Sequence, residues 1–306
     1  MGKKALELVE MTGEEIDSLD RERTVFVMVL SPIEVHGPHL PLGTDVMIAR
    51  EVRDRALDRL AGTHPGLRFV VLPPFFMGSD TIPGSLEVDS RAVNLLLRGV
   101  ASFLADRGFH YLLVVDNHGG PRHQIATAKA VRRLYRERGF HVVAPFLSFY
   151  RRMVELDPAL LSRLGRGQGS CGDAQDCHAG LNETSLALRA MPERVRPAWK
   201  ELERTSINPR RWPHLALGSL GKLLGLLGAR ELGGDLAYVG LMLSWVTEKH
   251  PPNYIGEPRA ADPEAGERML AAFTDEVVER MEAALKGEPP YHTPLGWTLR
   301  LIEPSR

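Results

Sequence analysis

Cysteine is nearly absent. Only Cys171 and Cys177 occur in 306 residues, too few for a disulfide scaffold and without the paired spacing of a zinc ribbon. A reducing compartment suits such a chain. Charge of neither sign is in excess, since 38 Lys and Arg stand against 39 Asp and Glu. That balance removes the electrostatic motive for binding nucleic acid or an anionic membrane, and basic pairs such as Arg210-Arg211 read as solvated surface. A long apolar run is missing too. The most lipid-like stretch, Leu215 to Trp245, is broken by Lys222, Arg230, Glu231, Asp235 and several glycines. It reads as buried or interface helices and a strand, not as a membrane span. The opening MGKKALELVEMTGEEIDSL carries acidic residues where a signal peptide needs an apolar core. The cytoplasm is therefore the expected location.

What is present fits an ordinary globular protein, with 43% hydrophobic and 25% charged residues. Four short apolar runs, Thr24–Leu30, Arg68–Pro73, His110–Asp116 and Phe140–Phe146, are rich in β-branched residues and read as strands buried on both faces. Between them, Asp45–Ala61, Arg91–Arg107 and Arg122–Arg138 have helical spacing and crossover length. A further amphipathic helix is expected over Asp262–Leu285. Strand alternating with helix predicts an α/β fold of three layers, α/β/α, with a mainly parallel central sheet. No repeat or linker divides the chain, so residues 1–306 are expected to form one domain, with an excursion at about 191–245.

Ligands of such sheets collect beyond the carboxyl ends of the strands, and three polar clusters fall where those ends are expected. In the first, Ser31 to Asp45, Glu34 and His36 are two residues apart in extended chain and face the same side. The Gly- and Pro-rich segment after them turns and delivers Asp45 to the next helix. Taken singly, Glu34 could be a surface carboxylate and Asp45 an N-cap. Taken together, two carboxylates and an imidazole suit a divalent metal, which one carboxylate can bridge to a second. His39, in the same loop, reads better as a residue hydrogen-bonded within the turn. The second cluster, Asp116-Asn-His-Gly-Gly-Pro-Arg-His-Gln124, puts His118 just past a buried strand with two glycines behind it. His123 falls inside the following helix as a surface or packing residue. The third, Asp176-Cys-His-Ala-Gly-Leu-Asn-Glu-Thr-Ser185, offers His178 as a proton carrier and Glu183 as ligand, as orienting partner, or as a first-turn residue that favours the helix dipole.

Glu34-Val-His-Gly-Pro-His-Leu-Pro-Leu-Gly-Thr-Asp45, Asn117-His-Gly-Gly120 and His178-Ala-Gly-Leu-Asn-Glu-Thr-Ser185 resemble, in order and spacing, the motifs of the creatininase (creatinine amidohydrolase) family. The resemblance runs over roughly residues 10 to 285. It implies a layered α/β/α fold and a two-metal centre that hydrolyses C–N bonds of cyclic amides, formamides or peptide-like substrates. It also implies a homo-oligomer, a ring of dimers such as a hexamer. Carried over residue by residue, Glu34, Asp45 and His118 would hold one divalent ion, and His36 with bridging Asp45 the other. Zinc, manganese and iron all suit such ligands. In creatininase a glutamate stands two residues after the His118 equivalent, where this chain has Gly120. The second ion then needs another carboxylate, Glu183, or water. Ala174, Gln175 and Cys177 replace the aromatic and acidic residues that creatininase places before its His178 equivalent, which argues against creatinine as substrate. A small amide cleaved by metal-activated water, with His178 protonating the departing nitrogen, is the leading expectation. A peptidase-like or deformylase-like member of the family, or an inactive metal-binding or assembly protein, are the alternatives.

Overall fold

The computed structural model describes residues 5–165, 176–208 and 211–298; Cys171, Ala174, Gln175 and Arg210 lie outside them. In chain order the sheet half consists of β1 (Leu6–Glu7), α1 (Gly13–Asp17), β2 (Thr24–Val29), α2 (Thr44–Thr63), β3 (Arg68–Val71), α3 (Ser90–Ala105), β4 (Tyr111–Val115), α4 (Pro121–Arg138) and β5 (His141–Val143). Then come α5 (Phe146–Val154), α6 (Pro158–Leu164), α7 (Leu181–Ala190), α8 (Trp212–Leu226), α9 (Arg230–Val246) and α10 (Pro263–Leu285). The strands lie in the order β1-β3-β2-β4-β5, and every pairing is parallel.

The strand β2 shows why three layers form. All six of its residues are buried, and alternate side chains serve opposite faces. Val25, Val27 and Val29 join α2, α7 and α10 in one apolar core. Phe26 and Met28 join side chains of α1, α3 and α4 in the other. A strand apolar on one face only could not support both cores.

The four expected strands and four expected helices are all in place, with two corrections. The run Phe140–Phe146 stops being a strand at Val143, because Pro145 cannot donate to a ladder and instead opens α5 at Phe146. No strand occurs between Leu215 and Trp245; that stretch falls in the helices α8 and α9, which pack on each other. Its glycines, spaced three and four apart, mark a helix seam and not strand interruptions. The edge strand β1 escaped the reading because it has only two residues, both exposed. Among the described residues no helix is long and apolar enough to cross a membrane.

The strand order reverses at β2. From there the chain moves outward to β3 and returns to the other side as β4, so the loops after β2 and β4 diverge and leave a crevice between them. The first two polar clusters stand in those loops.

Candidate metal centre

After β2 the chain runs extended, then reverses at Gly37, whose φ of 63° suits a residue without Cβ. A Cβ there would also meet Nδ1 of His39 at 2.9 Å. The reversal sends Glu34 and His36 into the crevice, both about 2% exposed or less. Asp45 is not the N-cap of α2, a position Gly43 holds. It sits in the first turn, where the helix dipole favours a carboxylate, and Glu183 occupies the first turn of α7 in the same manner.

These elements converge. Nε2 of His36 lies 3.4 Å from Oδ1 of Asp45 and 3.7 Å from Oε2 of Glu183. Nδ1 of His118 lies 3.0 Å from Oε2 of Glu34 and 3.7 Å from Oδ2 of Asp45. Asp45 thus turns one oxygen to each histidine. The groupings Glu34-Asp45-His118, His36-Asp45-Glu183 and Glu34-His36-His178 each bring three potential ligand atoms within 4.8 Å of one another. All six residues singled out from the sequence meet in one pocket.

Each histidine is oriented by a backbone carbonyl. Nδ1 of His36 donates to the carbonyl of Glu34 at 2.9 Å, Nε2 of His118 to that of Ser79 at 2.9 Å, and Nε2 of His178 to that of Val35 at 2.7 Å. A carbonyl only accepts, so in the neutral ring the other nitrogen presents a lone pair to the pocket. This is the outer support that metal-ligating histidines require. Oε2 of Glu34, Nε2 of His36 and Oδ2 of Asp45 are buried without a hydrogen-bond partner. Buried lone pairs facing one another are costly unless a cation lies between them. The donor set therefore fits divalent metal.

With protons as the counter-charge, the same crowding appears as shifted titration. Burial opposes a charge on His36, but Asp45 and Glu183 outweigh it and hold its pKa up at about 10. Burial likewise opposes a charge on His118, and Glu34 and Asp45 raise it to about 10. Glu34 stays below the usual carboxylate range, because His118 and His178 outweigh its burial. Burial pushes Glu183 up to about 7 and pulls His178 down to about 4.

Gly120 has a steric reason. A Cβ there would overlap Nε2 of His118 and approach the carbonyl oxygen of Ser79 to 2.6 Å. A Cβ on Gly119 would fall 2.5 Å from the ring of Tyr150. Neither position accepts a side chain while the loop keeps this course.

Other histidines and the cysteine stand aside. His39 is fully buried and pairs with Oγ1 of Thr184 in α7 at 2.8 Å, so its partner is across the fold and not in its own turn. His123 is also fully buried, with Nε2 3.2 Å from Asp116, a packing residue and not a surface one. Cys177 joins none of the three groupings.

Sequence reading passed over Asn117 as a site residue, although its Nδ2 donates to Asp45 at 3.0 Å and to Glu183 at 3.3 Å. It also passed over the wall supplied by distant helices. Tyr238 of α9 donates to the carbonyl of Gly119 at 3.3 Å and lies 3.2 Å from the hydroxyl of Tyr150, while Trp245 packs on the His178 ring at 5.5 Å. Asn117 opens the Asn117-His-Gly-Gly120 motif and could have been found. Tyr238 and Trp245 lie in a stretch with no local sign of polar chemistry.

A family profile described as Creatininase: Creatinine amidohydrolase matches residues 9–281. Mycofactocin precursor peptide peptidase of Mycobacterium ulcerans (strain Agy99) is 30% identical over 267 residues, 82% of each chain. The protein of that name from Mycolicibacterium smegmatis (strain ATCC 700084 / mc(2)155) is 27% identical over 266 residues, 83% of this chain and 84% of its own. Among solved structures, one described as Creatininase Mn superposes with a TM-score of 0.60 at 19% identity over 92% of this chain and 99% of its own. A mutant creatininase of Zn-Zn type gives 0.61 at 18% identity over the same shares. The extent of the profile match decides the assignment: this chain belongs to the creatininase family.

Proposed function

We propose that this chain is a metal-dependent hydrolase that cleaves an amide bond of a peptide. Glu34, Asp45 and His118 hold one divalent ion, and His36, Asp45 and Glu183 the other; Zn, Mn and Fe all suit these donors. The observation that carries the metal reading is the set of orphaned lone pairs on Glu34, His36 and Asp45, buried at the centre of the groupings. The peptide reading rests on the relatives named as peptide peptidases, which align over about four-fifths of both chains. For a cyclic amide or formamide, the leading expectation from sequence, the support is the description of the family profile and creatininase structures at 18–19% identity, which reach family and fold.

Ions bound there would polarise the scissile carbonyl and bring the pKa of water toward neutrality. The chain's own groups carry the proton. With Nε2–H of His178 committed to Val35, Nδ1 is the free acceptor. It takes the proton of the attacking water and passes it to the departing amine. Glu183 stays an acceptor toward Asn117 and Ala179 and holds the second ligand set together. We read residues 1–306 as one domain, with α8 and α9 as an excursion that closes one side of the pocket.

Elemental analysis of protein purified without chelator, followed by mass spectrometry of peptides incubated with it, tests both halves. About two ions per chain and new peptide termini are expected. A fully loaded protein that cleaves creatinine or formamides but no peptide would overturn the substrate class. Fewer than one ion per chain after loading would overturn the site.

A further inference from the structure

Asp45 and Glu183 reach the pocket from different elements, the first turn of α2 and the first turn of α7, yet each brings a carboxylate oxygen within 4.8 Å of the other's. Two ionised carboxylates so close repel in a site shielded from water. Burial, and then the charge of Asp45, push Glu183 up to about 7 against the pull of His36. Before a cation arrives, another group must hold the pair together.

Asn117, in the loop after β4, stands between them. Its Nδ2 lies 3.0 Å from Oδ1 of Asp45 and 3.3 Å from Oε1 of Glu183. Carboxylates only accept, so the amide turns its NH2 end to them and gives one hydrogen to each. Among the described residues, no other donor serves those two oxygens. The second oxygen of Glu183 accepts from the backbone N–H of Ala179, in the turn that leads into α7 itself. Asn117 is therefore what ties Glu183 to the sheet side of the crevice. The first ligand set is built without that amide. Oδ2 of Asp45 and Oε2 of Glu34 are buried with no hydrogen-bond partner, Oε1 of Glu34 accepts from the Ile82 N–H at 2.9 Å, and His118 is oriented by Ser79. Other groups fix the loop. The backbone N–H of Asn117 donates to Oδ1 of Asp116 at 2.8 Å and to Oγ of Ser31 at 3.1 Å, and that of His118 donates to Asp116 at 3.0 Å. Shortening the Asn117 side chain thus removes the bridge and leaves the path of the chain.

We propose that Asn117 is the positioning residue of the second ligand set: its amide bridges Asp45 and Glu183, offsets their repulsion and sets Glu183 opposite His36, so that the second ion depends on it and the first does not. The inference rests on the two-metal reading, and metal titration tells the failure of one from the failure of the other.

The full chain, stripped with EDTA and titrated with Zn²⁺ in competition with a chromogenic chelator, tests it. The parent is expected to take up two ions. Asn117→Ala should bind the first as the parent does and the second roughly 10–100-fold more weakly, the size of effect that partners behind metal ligands have. Asn117→Ser, which keeps a polar side chain too short to span both carboxylates, should show the same split with a parent-like circular dichroism spectrum. Glu183→Gln should also weaken the second ion, and adding Asn117→Ala to it should cost little more, since the bridge has already lost its charged end. A general loss of loop order would instead add in full. A second ion bound by Asn117→Ala as tightly as by the parent would overturn the proposal, as would equal weakening of both ions or full additivity with Glu183→Gln. Fewer than two ions on the parent would remove the two-metal reading, and the inference with it.

Discussion

His118 and Gly120 compete for one space: Nε2 of His118, donating to the carbonyl of Ser79 at 2.9 Å, fills the volume a side chain at residue 120 would need. The glutamate that creatininase carries at that position therefore has no place here, and the second carboxylate facing His36, beside Asp45, comes from α7 as Glu183. Gly120→Ala is expected to displace His118, to cost roughly 1–3 kcal/mol of stability by overpacking, and to lower bound metal by half or more. Gly120→Glu in a Glu183→Gln background is expected not to restore it. Thermal melts and elemental analysis check both; full metal retention in Gly120→Ala would show that the loop yields easily.

Asp45 and His178 should separate binding from turnover. Asp45 faces the histidines of both proposed ligand sets, at 3.4 Å and 3.7 Å, so Asp45→Ala is expected to lose metal binding and all activity. His178 belongs to the pocket but is tied to Val35 and leaves one nitrogen for protons. His178→Ala should keep its metal and lose roughly 10²–10⁴-fold in kcat. Metal counts beside initial rates decide the matter, and a His178→Ala protein emptied of metal would make that residue a ligand.

Much of this was legible because the signals are local. From Val25 to Val29 the run is apolar at every position, which only a strand covered on both faces needs, and both faces are covered. Glu34, His36 and Asp45 sit within a dozen residues, and the spacing that points two of them the same way also bends the chain to bring in the third. What escaped depends on distant packing. Tyr238 reaches Gly119 from α9, a helix whose glycines let it pack on α8 at backbone distance. No property of residues 230–246 alone says which residue they will meet. The same holds for Pro145, whose effect depends on where β5 runs out of partner: β4 pairs with it only as far as Val143.

Chelation should destabilise the fold. Glu34, Asp45 and Glu183 share one pocket, and ions that bind only the folded chain add stability as the logarithm of their free concentration over Kd. At a hundred to a thousand times Kd that is roughly 3–4 kcal/mol, or a Tm difference of roughly 5–10 °C for a chain of this size. Differential scanning calorimetry with EDTA, then with Mn²⁺ or Zn²⁺ restored, should show the loss and its reversal. Asp45→Ala should show neither, and a parent Tm indifferent to EDTA would leave the pocket without a structural metal load.

Acid sensitivity should come in part from a carboxylate that belongs to none of the three ligand groupings. Glu276 of α10 is 1% exposed and accepts from Ser148 at 2.7 Å, Arg280 at 2.7 Å and Arg152 at 2.8 Å. Burial alone would raise its pKa, but the Ser148 hydroxyl and the two guanidinium groups outweigh it and hold it below the ordinary value. A carboxyl lowered by folding contributes stability that is fully present above the unfolded pKa, near 4.3, and is lost as pH falls through the lower folded value. Glu276→Gln is accordingly expected to cost roughly 2–3 kcal/mol at pH 7, less than a fully buried pair because Arg152 and Arg280 reach solvent. Urea denaturation of parent and variant at pH 7 and at pH 3 should find that difference shrinking on the acid side, as the parent's carboxylate begins to take up its proton. A gap of equal size at both pH values would mean that shape, and not charge, is what Glu276 provides.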